Sequence, residues 1–521
     1  MIVFPGVVRR VRSTNWRQPA GRLGLVLALC FVLPGFVSSP APELQPAVGS
    51  VPAGQLTPAS RRAYAEVLKL RLGAARALLR PELAATPAAA APLLVANCAD
   101  FAELLVSQDA GRYEALAAAQ DARLTALEKA PADALRDYAR AEITLHLGLS
   151  QVMFKHLVLG GYHLRSGFHQ MQEVVKHYPA FLPARKSLGV CQFAIGSLPE
   201  GYHWLLTLLG LTANSDTGLQ NLALAAGQPN DFQTESQIYL AMIREGYYKK
   251  TEEARRLMER LQAQQPDNLL FAYLLITVNK RQHRGEAALA AYRARPTGPD
   301  YLPLPYLHHM AADLLLYKGE YAASERENLA FMREYRGQHY RKDAAFKLYL
   351  AAWLGGEPAT TAVRYRAQIN QPGPADVEED TYAQHYYHEA TALNPVLTRA
   401  RLQSDGGYDR EALATLRPFR AAQNPLWRDR IEAPYRRARA YQGLGRLDSA
   451  WYYFEQTLTE AGPKAPYYFA PLAALQQGYM AQSVGNAPTA RRYFLKALNY
   501  PWHEYKNSTD IKAKLALRQL K

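Results

Sequence analysis

The chain has 521 residues, 61 Lys and Arg against 46 Asp and Glu for a formal charge of +15, 49% hydrophobic and 21% charged residues. That apolar share excludes disorder over most of the chain, and the length exceeds what one globular core holds, so several domains or an elongated array are expected. Five of the arginines precede residue 23; the excess left on the body suits solubility, or an acidic segment, anionic lipid or surface glycan as partner.

In chain order, residues 1–22 carry Arg9, Arg10, Arg12, Arg17 and Arg22 and lead into a fifteen-residue apolar run at 23–37, followed by Ser38 and Ser39. This is the layout of a secretory signal peptide, and the run falls short of the about 20 residues of a spanning helix. Residues 1–37 are therefore expected to be an export signal or, if uncleaved, an N-terminal anchor. Residues 38–58 hold five prolines and read as an extended spacer. Cys30, Cys98 and Cys191 form no C-x-x-C pair, which removes zinc-ribbon and thioredoxin-like motifs. Cys98 and Cys191 read as separate buried thiols, with a disulfide as the alternative.

From Ser60 onward the pattern is helix after helix, with no run of alternating β-branched residues and no Asn-Gly hairpin turn. Two regions are expected: an N-terminal helical repeat region at 59–230 and a C-terminal array with a capping helix at 231–521. Residues 60–108 read as two helices broken at 85–92, then 110–129 as a third. Asp133 opens a helix to 158, capping its first turn; Gly160 and Gly161 read as a turn, and 162–177 as the next helix. Residues 211–231 read as a weak separating stretch. Beyond them, 238–248 pairs with 252–264, closed by Pro266, Asp267 and Asn268. Further pairs turn at Gly319, at Gly355 and Gly356, and at Gly406 and Gly407.

The last two pairs show a fixed spacing: Ala438 with Tyr441, Gly445, Ala450 and Phe454, then Gly478 with Gly485, Ala490 and Phe494. Gly189 and Gly196 repeat its first step, with a return helix expected from Pro199, and Ala412 continues it. Small residues on facing helices allow close approach, and the aromatic fills the gap to the next pair. This pattern resembles tetratricopeptide repeat proteins, though Ala412, Ala450 and Ala490 lie 38 and 40 apart rather than 34. The order of features is also similar to exported, largely uncharacterised bacterial proteins of that kind, on Asn97 to Phe101, Leu188 and Gly189 with Pro199, Glu200, Tyr202 and Trp204, Ala400 to Leu402 with Asp405 to Tyr408, and Glu504 to Ser508. The resemblance implies an all-α superhelix, a solenoid of antiparallel helix pairs that holds protein partners, and it brings no catalytic residues. Pro434 and Ala474 stand where such repeats carry a Trp early in the first helix.

In such an array the first helices line the concave face. The inward positions are expected to be Arg401, then Tyr435 and Arg439, then Leu475 and Tyr479, with Arg428, Arg430, Arg436 and Arg437 nearby. Arg and Tyr in one groove suit acidic or C-terminal peptide segments, because a guanidinium holds a carboxylate with two hydrogen bonds. The competing reading is a solvated face whose arginines pair with Asp429 or Glu432. His385 and His388 lack the third ligand and H-E-x-x-H context of a metal site, and Asp405 to Asp409 lack the spaced oxygens of a calcium loop. Neither a phosphate loop nor a nucleophile elbow occurs, so no cofactor, metal, nucleic acid or catalysis is expected. The expected role is a non-catalytic protein-interaction scaffold in the bacterial envelope, most simply the periplasm, with peripheral membrane association left open. The alternative is a surface ligand- or glycan-capture protein built on the same helix pairs.

Overall fold

The computed structural model describes residues 54–198, 206, 210–248, 250–389, 393–420, 423–501, 503 and 505–520. The expected leader, most of the spacer and the return helix expected from Pro199 lie outside them. Twenty-four α-helices and no strand occur among the described residues. They are α1 Pro58–Leu68, α2 Leu72–Ala85, α3 Ala90–Ser107, α4 Ala110–Leu127, α5 Ala134–Met153, α6 Leu157–His177, α7 Leu182–Gly196 and α8 Ser215–Gly227. Then come α9 Gln233–Tyr248, α10 Thr251–Gln264, α11 Leu269–Arg281, α12 Gly285–Ala294, α13 Tyr306–Lys318, α14 Tyr321–Glu334, α15 Arg341–Gly355 and α16 Ala359–Gln368. The last are α17 Glu378–Glu389, α18 Pro395–Asp405, α19 Asp409–Leu416, α20 Trp427–Gly443, α21 Leu447–Ala461, α22 Phe469–Ser483, α23 Ala487–Leu498 and α24 Lys506–Gln519.

Polar side chains start many of these helices by accepting an otherwise unpaired backbone N–H. Thr57 accepts from Ser60 at 3.0 Å, Asp133 from Arg136 at 2.7 Å, Asn268 from Phe271 at 3.1 Å and Asn486 from Thr489 at 3.1 Å. Short loops make successive helices antiparallel neighbours. Alternate helices also stack on one another: α1, α3, α5, α7 and α9 in one series, α13, α15 and α17 in a second, and α18, α20, α22 and α24 in a third. The chain is thus an all-α superhelix of antiparallel helix pairs.

The superhelix turns back on itself. α18 packs on α13, and α24 packs on α9. The Gly285 N–H donates to the Gly406 carbonyl at 3.0 Å, and the Tyr408 hydroxyl to Glu286 at 2.7 Å. α24, expected as an end cap, does cover α22 and α23, but it also reaches α9. Tyr505, just ahead of it, sets its ring against Tyr382 of α17 at 6.2 Å and Tyr468 at 5.4 Å. One apolar core runs from Leu56 to Leu315, unbroken across 230–231, and another from Ile431 to Ala516.

Several elements differ from the sequence expectation. Residues 58–107 form three helices, because Leu70 takes φ 61° and splits the first. The turn expected at Gly160 falls earlier, where Lys155 takes φ 72°. Gly160 lies inside α6, pressed on α5: a methyl there would meet Gly148 O at 2.9 Å and Val152 Cγ2 at 2.6 Å. Residues 215–227 are no separator; they form α8, the helix that packs on α7. A methyl on Gly189 would lie 2.7 Å from Gly218 O, one on Gly196 2.4 Å from Ser215 N, and one on Gly218 2.5 Å from Phe193 N. The small-residue spacing therefore does mark a close pair. Cys98 and Cys191 are free and buried.

Candidate functional site

Where the array turns back, an open cleft of about 1410 Å³ forms. One wall comes from the ends of α9 and α11 and the turns after them, through Arg244, Lys250, Arg281, His283 and Arg284. The other comes from the C-terminal ends of α20 and α22, through Arg439, Gln442, Gln476, Tyr479, Gln482 and Ser483, with Asp409 between. Two of the cations are spent locally: Arg244 pairs with Glu253 at 2.6 Å and Arg281 with Glu245 at 3.2 Å. Among the described residues, Lys250, Arg284 and Arg439 have no carboxylate oxygen within 4.0 Å.

Arg439 Nη2 donates to His283 Nε2 at 3.2 Å, and His283 Nδ1 lies 3.0 Å from the Asp405 carbonyl. The carbonyl can only accept, so Nδ1 carries the proton and Nε2 presents its lone pair: His283 is neutral in this arrangement. Burial pushes Asp409 up to about 6, against the attraction of Arg439. The cleft thus offers guanidinium, ammonium, amide and phenol groups beside the carboxylates of Glu245, Glu252, Glu253 and Asp409. That is a recognition surface for anionic, hydrogen-bonding chains.

Of the five expected inward residues, the structure brings Arg439 and Tyr479 into this cleft. Tyr435, 3% exposed, packs on Phe454, Tyr468 and Phe469, and Leu475, 2% exposed, lies in the same core. Arg401 turns to α17, donating to the Tyr382 hydroxyl at 3.1 Å. Neighbouring arginines are also engaged: Arg436 and Arg428 reach Glu432 at 2.7 and 3.4 Å, Arg430 reaches Glu460 at 2.9 Å, and Arg437 donates to the Phe419 carbonyl at 2.9 Å. Sequence reasoning missed Arg244, Lys250 and Arg284, which reach the cleft only through the fold-back.

One cluster has the donors for a cation. His309, Asp313 and Asp343 bring a nitrogen and two carboxylate oxygens within 4.8 Å of one another. Lysines already hold that place. Lys347 lies 2.6 Å from each carboxylate, and Lys280 is also paired with Asp313. With both carboxylates neutralised, the cluster is an internal ion network rather than a metal centre.

No family model matches the chain, and no curated protein matches it. The solved structures to which it is similar include the TPR domain of P58(IPK), at 12% identity over 82% of this chain and 98% of that one, with a TM-score of 0.21. The APC/C hetero-tetramer Cut9–Hcn1 is similar at 12% identity over 90% of this chain and 99% of that one, with a TM-score of 0.20. The helix pairing in the chain's own structure, not these likenesses, defines its architecture.

Proposed function

We propose that the protein is a non-catalytic scaffold of the bacterial envelope, exported to the periplasm by residues 1–37, which holds an acidic, extended segment of a partner protein in the cleft around Arg439 and Tyr479. The observation that carries this reading is the set of three cations facing the cleft with no carboxylate oxygen within 4.0 Å among the described residues, Lys250, Arg284 and Arg439, beside the amides of Gln442, Gln476 and Gln482. An incoming carboxylate would find bidentate donors there, and the amides would satisfy backbone groups of an extended chain. The residual positive charge of the body would favour approach to acidic partners at an anionic membrane surface.

The test is a tagged copy expressed at native level, crosslinked in cells and purified from the envelope fraction for mass spectrometry. A reproducible near-stoichiometric protein partner, lost on Arg439→Glu with Tyr479→Ala while the helical content stays intact, supports the scaffold. Clean recovery without any protein partner overturns it and moves the cleft to glycan or small-ligand capture.

A further inference from the structure

Beside the cleft, on the inner side of the array, lies a second and more enclosed cavity of about 740 Å³. That is within the range of pockets that hold small organic ligands. Leu105, Leu198, Leu270 and Met310 give it an apolar lining. Tyr273, Tyr306 and Tyr340 line it too, with the carboxylates of Glu378, Glu379 and Asp405. The rings of Tyr306 and Tyr340 are 4.7 Å apart and those of Tyr273 and Tyr306 are 6.5 Å apart. Solvent reaches both Glu378 and Glu379.

The carboxylates that line the cavity have few close cations. Among the described residues, none of the three carboxylates has a basic nitrogen within 4.0 Å. Lys280 and Arg281, which also line the cavity, are spent on Asp313 and Glu245, and Asp376 is paired with Lys155. Lys512 of α24 is the remaining cation, drawn by Glu378 and Glu245 and repelled by Arg281 and Arg439. Lys512 thus faces Glu378, while Glu379 feels only the more distant Lys347 and Lys280, and Asp405 the more distant Arg401. Burial, followed by the neighbouring phenols and Glu379, pushes the Tyr306 hydroxyl well up. Its ring stays protonated, with its electron-rich face available. Such a face attracts a cation most strongly where water is excluded, and a carboxylate alongside adds direct attraction.

We infer that this cavity binds an ammonium group carried on an apolar body, with the ammonium between the tyrosine faces and Glu379 and the body against Leu105, Leu198, Leu270 and Met310. The same chemistry comes from a small alkyl- or arylamine, or from the free amino terminus of an apolar peptide. Lys512 is an internal competitor for the carboxylates. The cavity and the partner cleft share Tyr247, Arg281 and His283 as a wall, but Arg439 belongs to the cleft alone, so the two readings fail separately.

Isothermal titration of the folded full chain with n-octylammonium, n-octanol and octanoate tests the inference. Octylammonium is expected to bind at least about tenfold more tightly than either comparator, as a cation set on tyrosine faces beside a carboxylate implies. Glu379→Gln should weaken it by a similar factor, and Lys512→Gln should tighten it, a gain that misfolding cannot produce. A leucine-rich heptapeptide with a free amino terminus, set against its acetylated form, separates the sources. Tighter binding of the free peptide than of octylammonium assigns a peptide, and the reverse assigns a small amine. Equal binding of octanol and octylammonium, or unchanged affinity in both variants, overturns the proposal.

Discussion

Two regions of the core bury a lysine between two carboxylates, and they balance the charge in different ways. In the first half, Lys186 of α7 lies 2.9 Å from Glu142 of α5 and 3.1 Å from Glu235 of α9. In the second, Lys347 of α15 lies 2.6 Å from both Asp313 and Asp343. Five of the six residues are nearly inaccessible, and Lys347 keeps 14% of its side chain exposed. The second cluster adds a cation, Lys280 on Asp313, and His309 Nε2 lies 3.1 Å from Asp343. Although burial opposes ionisation, the lysines hold both aspartates below the usual carboxylate range. The first cluster has no second lysine. Lys186 lowers Glu142, while burial and the nearby Glu142 raise Glu235, which accepts from the Tyr64 hydroxyl at 2.6 Å. One half therefore holds both acids low with a second ammonium, while the other leaves one acid raised and hydrogen-bonded to a phenol. The lesson is that an unpaired buried charge is so costly that a fold supplies whichever counter-charge its local packing allows.

The sharpest way to break this comparison is to remove each lysine. Lys347→Met leaves two ionised aspartates sharing Lys280 and is expected to cost about 3–5 kcal/mol in urea unfolding. Lys186→Met should cost less, about 2 kcal/mol, because Glu235, already raised, takes up a proton more readily than either aspartate. Equal losses would mean that both glutamates are ionised. Swapping one acid for its amide gives the next largest effect. Asp343→Asn is expected to cost about 3 kcal/mol by leaving Lys347 and Lys280 to share Asp313 alone. Glu235→Gln should change stability at neutral pH by no more than about 1 kcal/mol, since the amide still accepts from Tyr64.

None of this network was legible in the sequence. Its members lie on separate helices, with Glu142, Lys186 and Glu235 more than forty positions apart, and no local periodicity joins them. Local features did read through. Asp133 and Asn268 cap helices as expected, and Gly189 with Gly196 does mark a close helix approach. The partner of that approach was misplaced because α8 carries Gly218 in its interior. Glycine weakens helix propensity, yet here it is what lets α8 reach Phe193. Arg439 and Tyr479 lie four residues beyond Tyr435 and Leu475, nearer the ends of α20 and α22. Position along each helix, not the inner face alone, decides which residue lines the cleft, and that depends on the contacts of α18 with α13 and α24 with α9. Fold-back of this kind has no short-range signature, so the cleft's opposite wall was invisible.

The smallest expected effect is a difference in pH dependence, and its sign separates the two clusters. Glu235 is raised in the folded state, so its contribution is fully present below its unfolded pKa and is lost as pH rises through the folded one. Asp313 and Asp343 are lowered, so theirs is present above the unfolded pKa and is lost as pH falls through the folded one. His146, 3.8 Å from Glu142, is pushed by burial down to about 4 and resists protonation in the fold, which costs stability as pH falls from the usual histidine value toward 4. That opposes Glu235 in the intact protein and masks it in a plain melting curve. Comparing each amide variant with the parent cancels the histidine. As pH falls toward the unfolded glutamate value, the parent should gain on Glu235→Gln as the proton binds. Its advantage over Asp343→Asn should hold through that range and shrink only below the unfolded aspartate value. Thermal melts at half-unit pH steps read both differences. If the Glu235→Gln difference instead shrinks on acidification, Glu235 is ionised in the fold, and Lys186 is balanced in the same way as Lys347.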